Sequence, residues 1–315
     1  MTAFVSIAGA LAPVFALVIS GYIMGRWSFP SSTFWPGAER LTYYVLFPVL
    51  LVVKISSASL PAGELGNVIS VLVLLLLLGC GLILLLGKLV ESDPRRLSSM
   101  FQGGIRFNTY VGLAAVSALL GDSGMVWAAV FLVLMIPLVN IASILCFSLL
   151  QTTAATQQPL ERRAQLPSLL LNVIKNPLII ACLVGAALNL VQLSITPPLL
   201  SLLELIAAMA LPLGLLAVGV GLDISVLRRG GYSLWLTTLF KLAIYPAIFL
   251  LLTLAIEIPT QARLAILLFT LLPTAPSAYI LSRQLNGDAS LMAAIITLQT
   301  LVAMISMPLM LMWLI

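Results

Sequence analysis

The sequence predicts an all-α polytopic membrane protein with about ten transmembrane helices. They form a 5+5 inverted repeat with two broken, crossing helices, spans 4 and 9. Three observations predict this. First, the chain is 62% hydrophobic and 8% charged, with a mean hydropathy of +1.19, whereas about a quarter of a soluble domain is charged. Second, Lys and Arg concentrate in alternate loops. Third, two similar motifs, Asn108-Thr109-Tyr110 and Thr274-Ala275-Pro276, interrupt apolar segments that end at Gly121-Asp122 and Gly287-Asp288. Aligning the Gly-Asp pairs superimposes Asn108 on Thr274 and Tyr110 on Pro276. Interrupted segments in corresponding positions of two halves point to a transporter's midplane site.

A span needs roughly 20 apolar residues. On that basis the spans fall at about 4–25, 41–58, 66–87, 99–120, 124–150, 176–193, 199–222, 232–256, 261–282 and 289–314. The polar stretch Gln151–Gln165 is the only linker-like segment. The domains are therefore a first five-helix repeat over 1–150, a cytoplasmic linker over 151–175, and an inverted second repeat over 176–315. No cleavable leader is evident, because the first apolar stretch lacks a basic n-region and is long enough to span.

The odd-numbered loops hold Arg26, Arg40, Lys88, Arg95, Arg96, Arg162, Arg163, Lys175, Arg228, Arg229 and Arg283. The even-numbered side holds only Lys54 and Arg263. By the positive-inside rule the odd loops are cytoplasmic and both termini face the outer, periplasmic side. An odd number of spans per half inverts the second half. Pro48 in span 2 and Pro212 in span 7 also match, at nearly the same offset as the two motifs.

Local chemistry singles out the two interrupted spans. Proline removes a backbone hydrogen bond and clashes with the preceding turn, so Pro273 and Pro276 should break span 9 between them. Thr274 and Ser277 are placed to cap the new half-helix, whose free N–H groups would attract an anion. In span 4 the break is expected at Asn108-Thr109, between Gly103-Gly104 and Gly112. The expected substrate-binding residues are Asn108, Thr109, Tyr110, Thr274, Pro276 and Ser277. Arg106 and Lys241 lie inside predicted spans, where ionisable groups are costly and are functional candidates by default. They are the expected charge partners, and both favour an anionic substrate.

Other polar residues read structurally. Asn176-Pro177 opens a helix in the ordinary way. Asn140, Asn189 and Gln299 are interhelical hydrogen-bonding groups, and Pro137 before Asn140 allows a kink with a polar lining. Gly21, Gly25, Gly185, Gly219 and Gly221 suit close helix packing. Asp122 and Asp288 read as turns or caps, and a coupling role for them, for Asp223 or for Glu39 is left open.

Several classes are excluded. There is no histidine, which removes the commonest metal ligand and proton shuttle. Cys80, Cys146 and Cys182 lie in apolar stretches without metal-ligand spacing. No Walker A motif and no HExxH motif occur, and no nucleophile–base pair is visible, so the chain is read as no enzyme, with no metal and no cofactor. The net charge of +5 sits in short loops rather than along a stripe, which argues against nucleic acid.

Four segments carry a resemblance: Leu41-Thr42-Tyr43-Tyr44-Val45-Leu46-Phe47-Pro48, Arg106-Phe107-Asn108-Thr109-Tyr110-Val111-Gly112-Leu113, Lys241-Leu242-Ala243-Ile244-Tyr245-Pro246, and Thr274-Ala275-Pro276-Ser277-Ala278-Tyr279. In order and spacing the chain resembles bacterial members of the auxin efflux carrier family, relatives of plant PIN-type carriers and of bacterial malonate carriers. The resemblance covers essentially the whole chain. It implies the five-plus-five inverted repeat with crossing spans 4 and 9, a scaffold part mediating homodimer contacts, and a part that moves like an elevator. It also implies organic anions, often carboxylates, as substrates. Plant members carry prolines at both breaks; here span 4 has none. The long cytoplasmic loop of many plant members is absent too, which points to a bacterial inner membrane.

The expected function is secondary active transport of a small organic anion, with the lipid bilayer as surroundings and a coupling proton or sodium left open. The alternatives are a sodium-coupled symporter of the bile-acid-transporter type, which needs carboxylate-rich cation sites near the crossover, and a passive channel, which needs a continuous polar stripe.

Overall fold

The computed structural model describes residues 2–57, 65–151, 175–193 and 195–314. Among these residues every regular element is helical. The expected linker, with Arg162 and Arg163, lies almost wholly outside the described residues. In chain order the elements are α1 (Thr2–Arg26), α2 (Phe34–Leu41), a π turn (Thr42–Leu46), α3 (Phe47–Ser56), α4 (Leu65–Val90), α5 (Pro94–Ile105) and α6 (Thr109–Gln151). They continue with α7 (Pro177–Leu190), α8 (Pro197–Ala208), α9 (Ala210–Val220), a 3₁₀ turn (Ile224–Arg229), α10 (Gly231–Leu239) and a second π turn (Phe240–Ile244). The last four are α11 (Tyr245–Ala255), α12 (Thr260–Thr270), α13 (Ser277–Gln284) and α14 (Ala289–Leu314).

Six of the described runs are long and apolar enough to cross a membrane, so this is a multi-pass membrane protein. Expected spans 1, 3, 7, 8 and 10 each correspond to one such run, and spans 4 and 5 share the 57-residue stretch Pro94–Leu150. That stretch is interrupted at 106–108 and kinked at Gly121 (φ 59°, ψ −148°). Expected spans 2, 6 and 9 are carried by shorter helices.

Proline explains the two π turns. Each precedes a helix that begins with an aromatic residue and a proline, Phe47-Pro48 and Tyr245-Pro246. The proline ring crowds the carbonyl four residues back and offers no N–H; the turn before it widens instead of breaking. The matched prolines Pro48 and Pro212 act differently. The chain widens before Pro48 but interrupts the helix at Met209, ahead of Pro212.

Glycine sets the closest helix contact. A Cβ at Gly219 would overlap the Val18 carbonyl, and one at Gly21 the Leu216 carbonyl, so α1 and α9 meet backbone to backbone. Gly185 seats α7 on Ile55 of α3. Gly221, expected to pack likewise, meets only its own helix, because it is the C-terminal cap of α9.

The loops sort into two faces. On one, Arg96 binds Glu91 at 2.6 Å, Asp288 at 3.1 Å and the Gly230 carbonyl at 3.1 Å. Asp288 also accepts from the Leu291 amide and so caps α14. On the other, Lys54 meets Asp122 at 2.6 Å, Asn67 donates to the Glu257 carbonyl and Asn189 to the Ser56 carbonyl. Expected loops 3–4, 7–8 and 9–10 thus meet at the Arg96 face, and loops 2–3, 4–5, 6–7 and 8–9 at the Lys54 face.

The Arg96 network carries a pH prediction. Burial alone would raise the Glu91 carboxyl, but hydrogen bonds from Arg96, Ser233 and the Asp93 amide, with the Arg96 charge, hold it below its usual value. A carboxyl depressed in the folded state contributes stability above its unfolded value, about 4.3, and loses it as pH falls through the lower folded value. Glu91→Gln is expected to lower stability by about 1–2 kcal/mol at pH 7. Its melting curve should converge with the parent's below about pH 4. A difference that stays constant down to pH 3 would assign Glu91 a packing role alone.

Candidate functional site

The first break begins where α5 ends. Asp93 caps that helix by accepting from the Arg95 amide, and Pro94 starts it. Its residues Leu97–Ile105 are buried. At Arg106 the backbone turns extended (φ −74°, ψ 157°). The helix restarts at Thr109 because the Asn108 side-chain oxygen accepts from the Tyr110 and Val111 amides at 3.1 and 3.3 Å. This is a side-chain N-cap built inside a membrane segment. It explains how span 4 breaks without a proline.

The second break spans 271–276, between α12 and α13. Pro273 and Pro276 supply no N–H, and each biases the residue before it away from helix. The two breaks touch: the Asn108 amide donates to the Pro273 carbonyl at 2.8 Å. Thr274 is fully buried. Its amide donates to the Gln299 side chain at 2.9 Å, and its hydroxyl to the Gly103 carbonyl at 2.7 Å. Gln299 in turn donates to that same carbonyl at 3.0 Å. The expected capping of α13 by Thr274 and Ser277 is not formed; Pro276 occupies the cap position without a side-chain bond. Thr274 is turned instead toward α5, whose last-turn carbonyl has no intrahelical partner.

Beside the breaks lies a cavity of about 180 Å³. Its polar lining is Tyr43, Arg106, Thr109, Asn140, Asn176 and Ser277. Arg106 donates to the Gln102 side-chain oxygen at 2.9 Å and to the Asn140 side-chain oxygen. Gln102 is oriented by α13, donating to the Ala278 carbonyl at 3.1 Å and the Ser282 hydroxyl at 2.9 Å. Arg106 is therefore held in the cavity wall by two amide oxygens and does not reach out to the membrane surface.

Three of the expected residues, Arg106, Thr109 and Ser277, line this cavity. The other five are not in its lining. Asn108 and Thr274 are buried within the joined breaks, and Pro276 caps α13. Tyr110 is buried and stacks on Phe47, ring centroids 4.8 Å apart. Lys241 is fully buried at the second π turn. Its ammonium lies 4.5 Å from the centre of the Tyr245 ring and has no hydrogen-bond partner among the described residues.

Sequence reasoning placed Tyr43, Asn140, Asn176 and Gln102 in no site. Asn140 carried a signal in the preceding Pro137. Asn176 was legible as a cap, and it does accept from the Leu178 and Ile179 amides. Tyr43 was marked only by its place in a segment that carries the family resemblance, and nothing in the chain marked Gln102.

The profile of a family described as membrane transport protein matches residues 6–311, across both breaks. The chain belongs to the auxin efflux carrier family. It is a membrane transporter, and no curated protein matches it. In this transporter three of the carboxylates whose role was open already have structural partners. Asp223 caps the 3₁₀ turn by accepting from the Ser225 amide. Asp122 pairs with Lys54, and Asp288 caps α14 while binding Arg96.

Proposed function

We propose that this transporter is a secondary active carrier of a small organic anion, a carboxylate bound in the Arg106 cavity. In this reading ten spans form a 5+5 inverted repeat, 1–150 and 176–315 joined by 151–175, and spans 4 and 9 cross where their breaks touch. The crossover, with Arg106 and Thr109, moves against the scaffold helices in an elevator-like cycle, coupled to a proton or a sodium ion. The Arg96 face lies in the cytoplasm and both termini face the periplasm of a bacterial inner membrane.

One observation carries the reading. A guanidinium inside a membrane segment is fixed at a cavity wall among hydroxyl and amide groups, next to two joined helix breaks. Such a group is costly to bury and marks a substrate path. Its planar fork suits a carboxylate. The volume sets the scale. About 180 Å³ falls below the roughly 300–1,000 Å³ of drug-sized sites, which favours acids of a few carbons over ring-bearing ones.

The test is the melting temperature of the purified protein against short carboxylates, amino acids and indole acids, with and without sodium and across pH. A ligand of the folded state raises it by mass action. A short carboxylate is expected to do so, and Asn108→Ala or Pro276→Ala is expected to abolish its transport with folding intact. A rise with cations or neutral solutes alone would overturn the anion reading. Normal transport by both variants would remove the breaks from the mechanism.

A further inference from the structure

Three helices run from the cavity to the Lys54 face. Span 2 carries Tyr43 at the cavity and Lys54 at that face. The first part of α6 carries Thr109 at the cavity and Asp122 just past the Gly121 kink. Helix α7 begins with its cap Asn176 at the cavity and ends near Asn189. In each case the separation is roughly 16–20 Å at 1.5 Å per residue. Between these ends the facing side chains are apolar and buried, among them Phe47, Leu51, Val111, Ala115 and Cys182.

At the far end two contacts close the group. Asn189 donates to the Ser56 carbonyl at 3.0 Å, within a pair already seated by Gly185 on Ile55. Lys54 meets Asp122 at 2.6 Å, and this contact ties that pair to α6. Helix α6 itself sits tightly on α12 through Gly112 against Phe269. Lys54 and Asp122 both line a vestibule of about 660 Å³ that also contains Glu204. The cavity and the vestibule are thus separated by apolar side chains, and the ion pair spans the seam between the two packed groups.

The geometry points to the Lys54–Asp122 pair as a latch that holds the Lys54 face shut while the cavity is reached from the Arg96 face. This rests on the carrier reading above, since alternating access requires each face to close in turn. For the Lys54 face to open, the α6 end must part from α3, and the ion pair must break. Gly121, in a conformation that only glycine adopts readily and with open space around it, lets the chain turn there. Because Asp122 is 78% exposed, the latch is weak and biases the equilibrium severalfold rather than locking it.

The test uses the full chain with Cys80→Ser, Cys146→Ala and Cys182→Ala and a reporter, Thr109→Cys, in right-side-out and inside-out vesicles. The readout is the rate of labelling by a membrane-impermeant maleimide from each face. Lys54→Gln and Asp122→Asn are each expected to raise labelling from the Lys54 face severalfold. The reversed pair, Lys54→Asp with Asp122→Lys, and the conservative Asp122→Glu should return it to the parent rate, which also controls for folding. Glu204→Gln should leave it unchanged. Labelling from the Arg96 face without any gain in the single variants would overturn the latch alone. So would equal gains from Glu204→Gln or no recovery in the reversed pair. No labelling from either face in any variant would overturn both the latch and the carrier reading of the cavity.

Discussion

Arg106→Ala is expected to weaken binding of the proposed organic anion about a hundredfold, with the protein still folded. Hydrogen bonds to charged groups contribute about 1.5–3 kcal/mol each, and a guanidinium fork makes two to one carboxylate. Gln102 and Asn140 hold the fork in place before the ligand arrives, so little ordering cost falls on binding. Arg106→Lys keeps the charge but loses the fork. It reaches neither amide oxygen in the same geometry and should recover only part of the loss, leaving affinity about tenfold below the parent. The measurement is a titration of the carboxylate found by thermal shift, followed by uptake into vesicles. Parental affinity in Arg106→Ala would make the arginine a structural tie between the end of α5 and Asn140. Gln102→Ala distinguishes the two roles further. As a positioning residue, Gln102 should affect affinity for the anion more than melting temperature.

Gly219→Ala is expected to cost about 3 kcal/mol, at the upper end for an overpacked site. The reason is what the new methyl group meets. At Gly219 it would overlap the Val18 carbonyl and crowd the Tyr22 amide, and both are backbone. No flexible side chain can swing aside, so α1 and α9 must separate along their length and lose dispersion contacts on both sides of the seam. Membrane helices depend on such contacts, since lipid offers no hydrophobic penalty for parting. Gly9→Ala in the same helix α1 is the control. A Cβ there meets nothing within 4 Å, and alanine is the better helix former, so this variant should be neutral or slightly stabilised. Equal melting temperatures for the two variants would show that the α1–α9 seam is slack.

The two helix breaks were legible in the sequence for different reasons. Pro273 and Pro276 interrupt a helix whatever surrounds them, so span 9 had to break between them. Asn108 breaks span 4 through a local bond from its side chain to amides two and three residues ahead, which its place in the chain already permits. Asn176 as a helix cap was legible in the same way. Thr274 was not. Its residue type fits a cap, yet its hydroxyl and amide serve Gly103 and Gln299, groups far away in the chain. Gln102 shows the same limit, joining α13 to Arg106 with no pattern around it to announce the link.

What the sequence by itself determined was therefore the list of apolar segments, their interruption at two matched places, and the sorting of basic residues between alternate loops. Each follows from costs incurred within a few residues: desolvating charge, losing a backbone N–H, or leaving a helix end uncapped. What the tertiary structure alone decided was which polar groups are used up inside the joined breaks and which are left facing the cavity. Asn108 and Thr274 fall in the first set, and Arg106, Thr109 and Ser277 in the second, with Tyr43, Asn140 and Asn176 brought in from other helices. A buried donor is satisfied only by an acceptor at hydrogen-bond distance, and within an apolar bundle the acceptors come from whichever helix packs alongside.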